Sequence, residues 1–183
     1  MITIDFETKK IENNCPKSPI PVGVSIKTDD LPATYFSWLH PTGNNSTKLD
    51  VRHKLESIWQ SNHSLLAHNA KFDIRICAEH FDLAYPDVER VNDTMIMAYL
   101  HDPREDSFAL KYLADKYLNM PPDEQQDLKQ YILRNVNGAT EKTWGAYISE
   151  APGTIVEPYA DGDTTRTYLL YQYFLPHMEK QHG

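Results

Sequence analysis

Four carboxylates in this 183-residue chain, Asp5, Glu7, Asp73 and Asp163, fall in patterns that could carry chemistry. Asp5 and Glu7 are two apart in Ile2-Thr3-Ile4-Asp5-Phe6-Glu7, so on an extended strand both project from one face while Ile2, Ile4 and Phe6 occupy the other. Asn69 and Asp73 are four apart at the start of a helical pattern and so share a helix face, and Tyr159 and Asp163 repeat that spacing near the end of the chain. Each pair alone has an ordinary explanation: a solvated sheet face, an N-cap with an acid at the positive end of the macrodipole, or an early-turn acid in a helix opened by Pro158. Read together, they put four carboxylates on one strand and two helices of a small domain. Carboxylates that converge in a crevice repel one another unless a cation joins them. Oxygen-only ligands favour magnesium or manganese, and two such ions roughly 4 Å apart can clamp the attacking and leaving oxygens of an in-line phosphoryl displacement. A phosphodiester suits that arrangement.

The elements that must position these groups follow from periodicity. β-Branched and aromatic runs predict strands over 2–6, 22–26 and 34–39, a small antiparallel meander separated by Pro-, Asn- or Asp-rich turns. Apolar spacing predicts a helix over 49–60, a short buried strand over 64–67 leading to His68 and Asn69, and a helix over 70–81. A strand is expected over 88–92, then Asp93 as N-cap of a helix containing 95–100, and a further helix over 107–118 after the Asp102-Pro103 break. Residues 119–153 read as a helical excursion with a polar helix over 124–134 and a turn at Asn137-Gly138, before a closing helix over 157–174. A meander followed by strand-helix alternation predicts an α/β fold, a mixed β-sheet with helices on its faces. A first strand in such a sheet tends to be central, with its carboxylates at the crevice where open sheets bind ligands.

Composition narrows the function classes. Lys and Arg number 18 against 26 Asp and Glu, a net charge of -8, so no broad basic surface for wrapping duplex DNA is expected. Cys15 and Cys77 have neither disulfide-framework nor zinc-ligand spacing, which points to a reducing compartment. Acidic residues at the N-terminus argue against a secretory signal, and the apolar run 95–100 is too short to span a bilayer, so no membrane role and a cytoplasmic location are expected. No phosphate-cradling glycine loop, GxSxG or HExxH occurs. His68 reads as structural or solvated, and the aromatic stripe Tyr168, Tyr171, Tyr173 and Phe174 as a core-facing helix rather than a base-stacking platform.

Asp5-Phe6-Glu7-Thr8, Asn69-Ala70-Lys71-Phe72-Asp73 and Tyr159-Ala160-Asp161-Gly162-Asp163 resemble the three motifs of the DEDD 3'-5' exonuclease superfamily, in its order and spacing. Tyr159 marks the tyrosine branch, since the histidine branch would need His where Pro158 stands. Asn92-Asp93-Thr94-Met95, Ala109-Leu110-Lys111-Tyr112-Leu113-Ala114 and the stretch from Glu157 to Thr167 are similar to the proofreading domains of phage-type and bacterial family A DNA polymerases. The resemblance covers nearly the whole chain. It implies a ribonuclease H-like mixed β-sheet flanked by α-helices, with residues 1–183 forming one 3'-5' exonuclease domain. It further implies two divalent cations, Mg2+ or Mn2+: Asp5, Glu7 and Asp163 holding the first, and Asp5 with Asp73 the second. Tyr159 would orient the nucleophile, and Thr8, Asn69 and Phe72 would contact the 3'-terminal nucleotide.

The expected reaction releases nucleoside 5'-monophosphates from a single-stranded or frayed 3' end of DNA, in proofreading, replication or repair. A DNA polymerase, tethered or separate, is the implied partner, in the host cytoplasm for a phage protein. The chain begins almost at its first catalytic strand and ends soon after the last motif helix, which fits either a stand-alone exonuclease or a domain of a polymerase. A ribonuclease D-like exoribonuclease and a non-catalytic nucleic-acid-binding scaffold are the alternatives. An exonuclease that grips a few nucleotides can rely on metal-phosphate contacts, so the acidity excludes wrapping of DNA rather than DNA chemistry.

Overall fold

β1 (Ile2–Thr8) runs through the middle of a five-stranded sheet of order β3-β2-β1-β4-β5 in the computed structural model, which describes residues 1–182. β2 (Pro21–Thr28) pairs antiparallel with β1 and with β3 (Thr34–Ser37), while β4 (Leu65–Ala67) and β5 (Val91–Asp93) continue the sheet in parallel. This is the expected mixed sheet with an antiparallel meander and a central first strand.

Alternation along β1 divides the interior. Ile2, Ile4 and Phe6 pack with Val51 and Leu55 of α1 (Lys48–Gln60) and Ile76, Cys77 and Phe81 of α2 (Ala70–Phe81). The Asp5 and Glu7 side turns toward α6 (Gly153–His182), which crosses β1, β2 and β3 on the opposite face. A register shift between Glu7 and Thr8 breaks the pairing with β2 beside the acidic pair, the kind of bulge that re-aims side chains.

The second half of α6 packs through Leu170 and Phe174 on α3 (Thr94–His101) and α4 (Leu110–Leu118). Its first half meets β3, α5 (Gln125–Asn135) and a 3-10 segment at Trp144–Glu150 through Val156, Ala160, Leu128, Ile132 and Ile148. Tyr171, Tyr173 and Phe174 thus pack on a core as expected, whereas Tyr168 lies outside that cluster with the Lys27 ammonium 5.0 Å from its ring centroid. Among the described residues no helix is long and apolar enough to cross a membrane.

Of the expected boundaries that move, three do so for a tertiary reason that the contacts show. Residues 88–90 form a 3-10 turn rather than strand, because Arg90 reaches back to the carbonyls of Ile58, Trp59 and His63 at the end of α1. α4 begins at Leu110 instead of 107, because the Phe108 carbonyl is taken by the His68 ring at 2.8 Å. That acceptor makes His68 Nε2 a donor, so its Nδ1 accepts from Thr94 at 2.8 Å; burial lowers the pKa of the ring, and it stays neutral and structural. α6 starts at Gly153, where the backbone N–H is held by the Thr42 carbonyl at 2.9 Å, so Pro158 lies inside the helix rather than opening it. Asp163 is consequently well beyond the first turn.

Asp93 does more than cap α3. Its carboxylate accepts from Met95 N at 2.8 Å and also from Asn69 N at 3.0 Å and Ala70 N at 2.8 Å, so one side chain caps two helices. Asp93→Ala is expected to lower stability by about 1–3 kcal/mol, read as a shift of the thermal unfolding midpoint. An unchanged midpoint would show that water replaces these bonds.

Candidate functional site

β1 and α6 bring Asp5, Glu7 and Asp163 together. One carboxylate oxygen from each lies within 4.8 Å of the other two, with Glu7 and Asp163 buried and Asp5 half-buried. The fourth carboxylate, Asp73, is buried one element away in α2, and its Oδ1 accepts the Phe6 N–H from β1 at 3.0 Å. That bond pins α2 to the strand at the residue between Asp5 and Glu7.

The cluster is electrostatically unfavourable by itself. Burial, reinforced by the charges of Glu7, Asp73 and Asp163, pushes Asp5 well above the usual carboxylate range. Burial and the charge of Asp163 raise Glu7 to about 8. Asp73 also rises to about 8 through burial, against the hydrogen bond from Phe6. Asp163 is raised by burial, with Lys111 and Arg166 pulling the other way. Such a set is relieved by protons or by a cation.

Two cations absent from the sequence-derived set complete the surroundings. Lys111 of α4 donates to Tyr159 Oη at 2.8 Å and to Asp163 Oδ2 at 3.2 Å, with its ammonium 4.4 Å from the Tyr159 ring centroid. Arg166, one turn beyond Asp163, lies 3.7 Å from Asp163 Oδ1 and pairs with Glu124 at 2.5 Å. The spacing of three between Asp163 and Arg166 was readable in the sequence, but the contact from Lys111 spans 52 residues and had no local signal. Gly162 makes room for the Arg166–Glu124 pair, since a Cβ there would meet Glu124 Oε1 at 2.5 Å.

Tyr159 is buried, with the Trp144 ring edge-on at 6.2 Å between centroids, so the excursion over 119–153 supplies one wall of the site. Burial and the nearby charges of Asp163, Glu7 and Asp5 raise its phenol well above 10. Of the two aspartates in its motif, Asp161 turns away and accepts from Ser25 on β2 at 2.7 Å.

Asn69 occupies the N-cap position of α2 in a left-handed conformation with φ 63°, and its side chain makes no capping bond. Asp93 caps the helix instead, which leaves the exposed Asn69 amide available to a ligand. Phe72 is half-buried against the core, and Thr8, also half-buried, donates its hydroxyl to the Lys9 carbonyl at 2.9 Å.

The donor set fits hard divalent cations: oxygen ligands only, three of them converging, and a buried Asp163 Oδ1 that accepts no hydrogen bond. Beside them lie a buried phenol and a lysine, which can orient a polar group and offset the negative charge of a bound anion.

A family model described as 3'-5' exonuclease, of the DNA polymerase A type, matches residues 2–179. A DNA polymerase of Escherichia phage T5 is 29% identical over 162 residues, which are 87% of this chain and 18% of that polymerase. The chain therefore spans under a fifth of that relative's length. Among solved structures, Brucella melitensis NrnC with bound Mg2+ is similar with a TM-score of 0.63 at 16% identity, over 99% of this chain and 74% of that one. Trypanosoma brucei RNase D is similar with a TM-score of 0.64 at 14% identity, over 95% of this chain and 57% of that one. At such identities these two structures speak to the fold alone.

Proposed function

The chain belongs to the 3'-5' exonuclease family of the DNA polymerase A type, and from that membership we propose that it hydrolyses the terminal phosphodiester of DNA 3' ends, releasing nucleoside 5'-monophosphates. The observation that carries this reading is the convergence of Asp5, Glu7 and Asp163 within 4.8 Å on a chain of that family. Asp5, Glu7 and Asp163 would hold one divalent cation, and Asp5 with Asp73 a second, Mg2+ or Mn2+ in each case. Bound there, the cations would supply the Lewis-acid charge that a pentavalent phosphoryl centre needs.

The protein's own part is positioning. Lys111 donates to the Tyr159 oxygen, so the phenol's hydrogen is free to point at a water or a phosphate oxygen. With its pKa raised, Tyr159 stays protonated and orients rather than abstracts a proton. Asn69, Thr8 and Phe72 would hold the terminal nucleotide in line. Tyr159→Phe is expected to lower kcat about 10- to 100-fold with KM within about threefold, because it loses alignment and not binding. A change confined to KM would reassign the residue to substrate binding.

A DNA substrate is supported by the likeness to a phage DNA polymerase. That likeness also supports proofreading or repair beside a polymerase, in a host cytoplasm if the source is a phage. The test is mononucleotide release from DNA and RNA oligonucleotides of matched sequence, with Mg2+ or Mn2+. DNA is expected to be cleaved at least about tenfold faster, since the 2'-hydroxyl is what a site can sense. Equal or faster cleavage of RNA would make the chain an exoribonuclease.

A further inference from the structure

The segment 9–20, which joins β1 to β2, is not a free excursion. Its neck is closed by Lys9 N donating to the Ile20 carbonyl at 2.8 Å. Three contacts staple it to α2: Ser18 N to the Glu79 carboxylate at 3.1 Å, His80 Nε2 with the Ser18 carbonyl at 3.1 Å, and Arg75 to the Pro16 carbonyl. Between this loop and α2 lies a cavity of about 450 Å³, within the size range of ligand sites.

The cavity's charge is opposite to that of the chain. Lys9, Lys10, Lys17, Lys71 and Arg75 line it against the single carboxylate of Glu12, in a protein of net charge -8. Arg75 is answered by Glu79 at 2.5 Å, but among the described residues no carboxylate lies within ion-pair distance of the four lysines. Lysines gathered without counter-charges repel one another, and a polyanion relieves that repulsion. The cavity also includes Asn69 and Phe72, so it opens directly off the place assigned to the terminal nucleotide. Ile11 and Ile20, 64% and 49% exposed, stand in the same cavity and offer an apolar surface to a base face.

We propose that this cavity is a strand-binding site for the backbone phosphates just upstream of the reacting 3' end. The inference rests on the nuclease reading above and adds how an acidic chain keeps hold of a polyanion. Lysine ammonium groups donate to phosphate without reading base edges, so the grip is independent of sequence. The loop 9–20, rather than the sheet, supplies three of the four lysines.

The test compares Lys9→Met/Lys17→Met with a charge-matched control pair, Lys54→Met/Lys142→Met, outside the cavity. Binding of a fluorescent thymidine octamer with an uncleavable methylphosphonate at its last linkage is followed by anisotropy in Mg2+ across a range of NaCl. Removing the two cavity lysines is expected to weaken binding at least about tenfold at low salt. It should also flatten the plot of log affinity against log salt by about 0.7 per lysine, as for single-strand phosphate contacts. The control pair should bind like wild type. An unchanged slope, an equal loss in both pairs or no measurable binding by wild type would overturn the proposal. Binding is read without turnover, so a protein that loses octamer affinity as expected yet releases no nucleotide from cleavable DNA would refute the nuclease reading and leave the strand site standing.

Discussion

Asp5→Asn and Asp163→Asn proteins are expected to release terminal nucleotides at least about 10³-fold more slowly than wild type, with the fold retained. Each carboxylate belongs to the group of three whose oxygens lie within 4.8 Å, so each substitution removes a third of the anionic donors from the first proposed cation site, and Asp5→Asn also removes one of the two from the second. The loss falls on charge stabilisation of the phosphoryl centre, where removal of one preorganised group costs about 10²–10³ and loss of a cation costs more. Folding should not suffer. Both groups are held in a buried cluster that raises their pKa values, so an amide of the same shape removes repulsion. The measurement is mononucleotide release from single-stranded DNA, alongside the thermal midpoint without metal. A fully active Asp5→Asn protein, or full wild-type activity in chelator, would end the metal-dependent reading and leave the intact acidic set unexplained.

Magnesium is expected to raise the unfolding midpoint of the wild-type protein by about 5–10 °C at pH 8 and by little at pH 5. Glu7 and Asp73 have folded-state pKa values near 8 against ordinary values of 4.5 and 3.8. The folded protein therefore binds more protons than the unfolded chain between about pH 4 and 8, and metal-free stability falls as pH rises through that window. At pH 8 a cation takes over the role the protons had; at pH 5 it must displace them. A ligand at about 100 times its Kd contributes about 2.7 kcal/mol, or several degrees for a chain of this size. Differential scanning fluorimetry with EDTA or Mg2+ at the two pH values measures it. Equal shifts at both pH values, or the same shift in Asp5→Asn, would place the cation elsewhere.

Much of this site is local and therefore legible. Asp5 and Glu7 must share a face because strand side chains alternate, and Tyr159 and Asp163 must share one because helix side chains recur about every turn. The meander and the strand-helix alternation after it follow from the same periodicities, and the central place of β1 is where the first strand of such a sheet tends to lie. Periodicity stops at element ends. Pro158 read as a helix opener, yet α6 begins five residues earlier because the Thr42 carbonyl holds Gly153. Residue 107 read as helix, yet the His68 ring takes the Phe108 carbonyl and delays α4 to Leu110.

The residue types and offsets of the three motifs belong to the sequence by itself, and with them the α/β class, the family resemblance and the expectation of a cation among carboxylates. Only the tertiary structure decided what surrounds them: Lys111 bridging Tyr159 and Asp163, Arg166 held by Glu124, Asp93 serving two helices, Asp73 tied to the backbone of Phe6. It also decided that four lysines with no carboxylate partner among the described residues would gather around one cavity of an acidic chain. The reason is physical. Facing within one strand or helix is set by backbone geometry over a few residues, whereas a charge finds its partner across tens of residues, only after packing has chosen which elements meet.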